Sequence, residues 1–388
     1  MAPSRRHSIL VLDECFDGKL RHLREQVRGR SVEATKADAL HGLAQSSSSS
    51  FRRSFVHRRT MLEDLESHLE REPVSVVLVV PNWRRWAARP HKLSCLIANA
   101  SSRPGRPALV LVDTVDQTSS PFLACLPHVE RILKSQVLRD RGHYLHDTAT
   151  PGNPFAEWCR DSLGFDLGDW RFGSTTTTEH VDRILPGWNM GVSRFYRGCR
   201  RLTQWCALPW RDRRYDLSRR FLVPDPTTSA RWDYYRAYRR FCGLSVGELA
   251  RSVTMTETSP VGRAAFLREL SQSRITFSPF GWGEVCFRDF EAVACGSVLL
   301  KPDMSHLETW PNIYEAGVTY VPVRWDLTDL SAQVAWILDN PARAEEIARE
   351  AAERLERAAL IAGFSDLMYG LTPATGQPDG DCGAPPGT

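Results

Sequence analysis

Lysine is nearly missing from this chain: of 50 basic residues only Lys19, Lys36, Lys92, Lys134 and Lys301 are lysines. The arginine bias fits a GC-rich coding sequence and says nothing about function. The formal net charge is only +4, and the basic residues are scattered rather than gathered in one stripe, so no nucleic-acid-binding face is expected. Cys-x-x-Cys is absent, and the ten cysteines form neither a zinc-knuckle pattern nor a compact disulfide framework; reduced, buried thiols are expected. The longest apolar stretch, residues 74–80, is too short to span a bilayer. A secretory leader is not visible either, because the apolar run 8–12 stops at Asp13 and Glu14; the expectation is a cytoplasmic protein without an integral membrane segment. No Gly-x-Gly-x-x-Gly follows that first run, which disfavours a nicotinamide dinucleotide dehydrogenase.

What is present is a chain of 388 residues, 42% hydrophobic and 25% charged, long enough for two domains of ordinary size. Apolar runs at 9–12, 74–80 and 108–112 alternate with longer polar stretches of helical pattern, the arrangement of a parallel α/β sheet. Residues 61–71 read as an amphipathic helix, 46–50 as a serine loop, and a further element begins within 130–138. From 148 to 210 the periodicity weakens, as expected of irregular connections near an interdomain cleft; Trp188 and Trp205 read as core aromatics. A second α/β unit is expected to have strands at 215–223, 274–277, 297–300 and 319–323. Its helices are expected at 230–241, 261–272, 330–338 and 342–361. The chain therefore divides into residues 1–210, residues 211–371 and a disordered Pro-, Gly- and Asp-rich tail, 372–388.

The densest chemistry lies between two of these strands, in Ser278-Pro-Phe-Gly-Trp-Gly-Glu-Val-Cys-Phe-Arg-Asp-Phe-Glu-Ala-Val-Ala-Cys-Gly296. If this is a loop followed by a crossover helix, Glu284, Arg288 and Glu291 fall on one stripe, four and then three residues apart. Charges bracketed by apolar neighbours must pair with one another or meet a charged, hydroxyl-rich ligand, and the spacing leaves both readings open. As ordinary helix salt bridges they would be worth about 0.3–0.5 kcal/mol. Gly281 and Gly283 flank Trp282, where missing side chains would leave backbone amides and a helix dipole to an anion. Arg288 is placed to meet a diphosphate bidentately, and a glutamate on the same stripe to accept from a vicinal diol. Lys301, at the end of the next strand, is a phosphate-contact candidate, whereas His306 and Trp310 read as packing residues.

From about 274 to 338 the pattern Ser-Pro-x-Gly, Arg-x-x-Glu-Ala, Gly and a short apolar strand resembles the donor-binding half of GT-B glycosyltransferases of the exostosin-like, family-1 type. Pro279, Gly281, Arg288, Glu291, Ala292 and Gly296 carry the resemblance. It implies an α/β GT-B fold: two Rossmann-like domains with parallel sheets facing across a cleft. It also implies a nucleoside-diphosphate sugar donor bound by Ser278, Gly281, Gly283, Arg288, Glu291 and Lys301, with Glu291 on the ribose. The acceptor, a hydroxyl-bearing small molecule or glycan, would lie on the first domain. Retaining members carry a paired-glutamate signature; here six residues separate Glu284 from Glu291, one fewer than usual, so retention is not implied. Metal-dependent glycosyltransferases of the other common fold show Asp-x-Asp after a strand, and the only such triplet here is Asp379-Gly-Asp381 in the tail. The resemblance thus implies hexosyl or pentosyl transfer with neither bound metal nor cofactor, in natural-product biosynthesis (for example of an aminoglycoside antibiotic) or cell-surface glycan assembly. An inverting enzyme needs a base; Asp13, Glu14, Asp113 and Asp116 qualify by position, and Glu284 by its place in the motif. The alternatives are a GT-B-shaped sugar-nucleotide epimerase or hydrolase, or a non-catalytic sugar-nucleotide-binding protein.

Overall fold

Strand β3 (Val76–Val80) is Val-Val-Leu-Val-Val and buried along its whole length, as are β1 (Ile9–Asp13) and β4 (Ala108–Val112). Strands with no side for water need cover on both faces, which a parallel, helix-flanked sheet supplies. The computed structural model, which describes residues 9–14, 55–71, 74–188, 191, 208–221, 223, 233–310 and 312–358, contains two such sheets. The first has the order β2-β1-β3-β4-β5-β7, all parallel, with β2 (Phe55–Arg59), β5 (Arg131–Lys134) and β7 (Ile184–Pro186). Helices α1 (Leu65–Arg71), α2 (Trp83–Trp86), α3 (Pro90–Ser101) and α4 (Pro154–Leu163) accompany it. Helix α4 shows why the chain turns helical there: Asn153 accepts from the Ala156 amide, Pro154 opens the first turn, and Gly164 closes the last at φ +64°.

The second sheet, also parallel, has the order β12-β10-β9-β8, built from β8 (Tyr215–Ser218), β9 (Ser273–Phe277), β10 (Val298–Pro302) and β12 (Val321–Val323). Its helices are α5 (Tyr234–Glu248), α6 (Arg263–Ser271), α7 (Phe287–Ala294), α8 (Leu330–Asp339) and α9 (Pro341–Ala358). The change of sheet falls between β7 and β8, and the two units are Rossmann-like. Among the described residues no helix is long and apolar enough to cross a membrane.

Several elements differ from the sequence expectation. Strand β2, Phe-Val-His-Arg-Arg, pairs only with β1 at the sheet edge, so it carries too little apolar pattern to be seen. Strand β8 stops at Ser218, short of the expected 223, and α5 begins at Tyr234 and runs to Glu248, seven residues past the expected end. The loop 46–50, Trp205 and the tail from 372 lie outside the described residues.

The domains meet along a bonded seam. Strand β6 (Val137–Leu138) of the first domain pairs antiparallel with β11 (Leu307–Glu308) of the second. Phe155 on α4 sets its ring edge-on against Tyr234, Tyr238 and Phe280. The Tyr234 hydroxyl accepts from Gln117 Nε2 (2.7 Å) and Asn153 Nδ2 (3.2 Å) and donates to the Trp282 carbonyl (2.7 Å).

Each sheet also hides one lysine against one aspartate. Lys134 Nζ lies 2.7 Å from Asp113 Oδ2 and Lys301 Nζ 3.1 Å from Asp289 Oδ1, all four side chains fully buried. Breaking a buried pair strands one charge in a medium that cannot solvate it. Lys134→Met is expected to cost about 3–5 kcal/mol in urea unfolding, and Asp113→Leu in the same chain to restore most of it.

Candidate active site

Everything the motif offers hangs on Asp289, which has no solvent exposure. Its Oδ1 accepts from Ser278 Oγ (2.6 Å) and Lys301 Nζ (3.1 Å), and its Oδ2 from the Cys286 amide (2.9 Å) and Tyr314 Oη (2.7 Å). Ser278 and Lys301, expected at the donor, are therefore internal struts: both are fully buried, and Lys301 Nζ sits over the Phe280 ring at 5.1 Å. The bond from Cys286 to Asp289 also starts the helix at Phe287. Glu284 consequently stands in the loop, and the stripe Glu284, Arg288, Glu291 is not continuous.

The glycines act differently from expected as well. The Gly281 amide is not open to an anion but donates to the Gly283 carbonyl at 2.9 Å. Gly283 is pressed against the first domain: a Cβ there would stand 1.8 Å from the Asp116 carbonyl oxygen. Glu284, 1% exposed, accepts from Gln136 Nε2 of the first domain at 2.7 Å. Its other oxygen lies 3.7 Å from His306 Nε2, too far for a hydrogen bond. Glu291, one helical turn along, is paired with Arg263 at 2.6 Å.

Arg288 lies on α7, as its spacing suggests. Its Nε donates to the Arg220 carbonyl (3.1 Å), and among the described residues no carboxylate lies within ion-pair distance of it. Arg239 on α5 is held the same way, Nε to the Phe280 carbonyl at 3.1 Å, with Nη2 3.1 Å from where a Gly281 Cβ would stand. Burial, and next the Arg239 charge, push the Arg288 pKa below the ordinary arginine value. Two like charges that feel one another, each anchored through Nε and with no hydrogen bond at its terminal nitrogens among the described residues, can receive a dianion. Arg239 lies 49 positions before Arg288, beyond the reach of any local spacing argument.

On the first domain's side, Asp13 is 2% exposed and its Oδ2 lies 3.1 Å from His57 Nε2. Glu14 is occupied: the Leu62 and Asn82 amides, Arg85 and the Trp86 indole all donate to it. Asp113 is sealed against Lys134 and also accepts from the Val115 amide, so it is not placed to meet an acceptor. Among the described residues no three His, Cys, Asp or Glu side chains gather as a metal site. A cavity of about 350 Å³ does exist, lined by Trp210, Arg213, Glu345 and Arg349 among others. It opens at the amino ends of β8 and β10 and takes in the last residues of the motif, Val293 to Gly296, at the far end of α7 from the Gly-Trp-Gly loop.

Residues 208–362 match the family model described as glycosyl transferase-like. This part of the chain is thus similar to glycosyl transferase-like domains. With a second Rossmann-like unit facing it, the whole fold is GT-B. No match was found among curated protein sequences. Among solved structures, Anabaena HepE in complex with UDP aligns over 94% of this chain and 98% of its own, at 10% identity and a TM-score of 0.39. Sucrose-phosphate synthase from Thermosynechococcus elongatus aligns over the same shares at 12% identity and a TM-score of 0.40. The fold assignment rests on the strand order of the two sheets rather than on these distant likenesses.

Because Asp289 joins both ends of the motif loop to β10, its loss is expected to be felt as instability before it is felt as lost binding. Asp289→Asn, equal in size but uncharged, strands the Lys301 ammonium and should cost roughly 3 kcal/mol or more in equilibrium unfolding. Stability equal to the parent would show that the carboxylate is not the joint of the loop.

Proposed function

We propose that this chain is a glycosyltransferase that moves a hexosyl or pentosyl group from a nucleoside-diphosphate sugar to a hydroxyl-bearing acceptor held between its domains. The observation that carries the reading is the pair Arg288 and Arg239, set beside the Gly-Trp-Gly loop at the carboxyl end of β9 with no carboxylate in ion-pair distance among the described residues. A diphosphate supplies the missing charge and geometry. In the transfer, the bond from the anomeric carbon to the diphosphate oxygen breaks as the bond to the acceptor oxygen forms. Negative charge grows on the leaving diphosphate, where two preorganised guanidinium groups stabilise it.

Glu291, one turn beyond Arg288, is the carboxylate that a ribose diol would meet, its Arg263 partner being half exposed. The acceptor proton needs a base, and Asp13 with His57 offers an imidazole oriented by a buried carboxylate at the carboxyl end of β1. In this reading the positive charge is supplied by the protein, without a bound metal or cofactor. The setting is cytoplasmic synthesis of a natural product, such as an aminoglycoside, or of a cell-surface glycan.

The test is a thermal-shift and calorimetric screen against UDP, GDP, dTDP, CMP and NAD. One nucleoside diphosphate should stabilise the parent, and Arg288→Ala and Arg239→Ala should each weaken it at least tenfold, about 1.4 kcal/mol for the loss of charge-assisted bonds. No stabilisation by any nucleotide, or equal affinity in both variants, would overturn the donor site. Free or rearranged sugar in the absence of acceptor would identify a hydrolase or epimerase instead.

A further inference from the structure

We infer that Gln136, a residue of the first domain, is the positioning residue that gives the second domain's motif loop its shape, so that the donor site is complete only when the domains are shut. The inference rests on the donor reading above for its functional consequence, but not for its geometry.

Gln136 lies just beyond β5 and is fully buried. Its side-chain amide makes three bonds: Nε2 donates to its own domain's Asp116 carbonyl (2.6 Å) and to Glu284 Oε2 (2.7 Å), while Oε1 accepts from the Val285 amide (2.9 Å). Only a carboxamide offers two donors and an acceptor in one plane at this length. A glutamate lacks the donors, and a leucine lacks everything but the volume.

The loop is tied to both domains. Its outer residues are fixed within the second domain, through Ser278 and Cys286 on Asp289. Between them, the Gly281 amide donates to the Gly283 carbonyl, Cys286 Sγ reaches the Pro279, Gly283 and Glu284 carbonyls, and Arg239 Nε donates to the Phe280 carbonyl. The Trp282 carbonyl is held by Tyr234, which is in turn held by Gln117 and Asn153 of the first domain. Val285 and Glu284 are held by Gln136, and Gly283 lies so close to the Asp116 carbonyl that no side chain fits. The middle of the loop is thus moulded by the opposite domain.

Glu284 sharpens the dependence. Among the described residues its Oε1 is buried without a hydrogen-bond partner, as are both ring nitrogens of His306, whose Nε2 lies 3.7 Å from it. A buried carboxylate with one oxygen lacking a hydrogen bond is costly, and the bond from Gln136 is the side-chain hydrogen bond that holds it inside the seam among the described residues. Without Gln136, Glu284 is expected to turn towards water and carry the loop with it, displacing Gly281 from Arg239 and altering the approach to Arg288.

The experiment compares the full-length parent with Gln136→Leu and Gln136→Glu by hydrogen–deuterium exchange and by titration with the nucleoside diphosphate that stabilises the parent. Exchange in a peptide covering 279–286 should quicken by at least about tenfold in both variants, with β9 and the body of α7 unchanged. Nucleotide affinity should fall at least about tenfold, while the melting temperature of the unliganded protein changes little; a purely structural role would do the reverse. Unchanged exchange in 279–286 overturns the inference whatever the ligand does. Faster exchange with unchanged affinity overturns the link between seam and donor. A parent that binds no nucleotide overturns the donor reading, and the exchange result then decides by itself whether Gln136 shapes the loop.

Discussion

A carboxylate cut off from water must be satisfied on all sides or it disfavours the folded state, and Asp289 meets that demand by drawing four segments to one point. Ser278 closes β9, Cys286 opens α7, Lys301 comes from β10, and Tyr314 comes from the loop that follows β11. The consequence is geometric. Both ends of the motif loop are pinned to the same side chain, so the residues between them form a closed span that must bulge away from its own sheet, and the direction left to it is the other domain. Arg288 precedes Asp289 by one position and therefore points elsewhere on the helix, to the Arg220 carbonyl.

The two buried lysines fit this logic. In a chain that places arginine almost everywhere, Lys134 and Lys301 occupy the two sites where a cation must sit wholly inside a sheet layer against one aspartate. An ammonium is compact and satisfied by a carboxylate and a carbonyl, as Lys134 is by Asp113 and the Ser119 carbonyl. A planar guanidinium with five donors would need more partners than those positions supply. Arginine is used where partners or solvent are available: Arg220 on Glu269, Arg263 on Glu291, Arg274 on Asp216. Against that habit Arg239 and Arg288 stand out: among the described residues they are anchored to carbonyls and aromatic rings, and burial, with the Arg239 charge next, depresses the proton affinity of Arg288. Like charges kept together at a cost point to a ligand that removes the cost.

Most strands of both sheets could be read because a parallel, doubly covered sheet needs apolar runs, which β1, β3, β4 and the Val-Leu-Leu start of β10 have, while β9 shows an apolar Ile and Phe about Thr276. The edge strand β2 and the three-residue β7 could not, since neither is long or apolar enough to leave a pattern. The motif itself was visible, and Arg288 was placed correctly on α7. The roles of its neighbours were not, for a specific reason. Helical spacing says which side chains share a face only once the helix start is known, and the start was set by Asp289 accepting the Cys286 amide, which detached Glu284 from the stripe. Burial was equally hidden: Val-Leu-Leu-Lys-Pro reads as a strand with a charged end, yet its lysine is fully covered. The partners that decide Glu284 and Glu291 come from Gln136 and Arg263, 148 and 28 positions away. No local pattern encodes contacts of that kind.

The division of labour between the domains follows from these contacts. The second domain contributes charge: the guanidinium pair, Glu291 and the ionic struts beneath them. The first contributes form, since Gln136, the Asp116 carbonyl, Gln117 and Asn153 present hydrogen-bonding groups and close packing to the loop without placing a countercharge beside the arginines. That arrangement suits an anionic ligand. Were the first domain to meet the loop with a carboxylate beside Arg239, closure would neutralise the site it completes. Met instead by a neutral amide and a carbonyl, the loop is shaped by the first domain while the positive field stays available, so that on the proposed reading the packed domains would exclude water and strengthen attraction for the anion together.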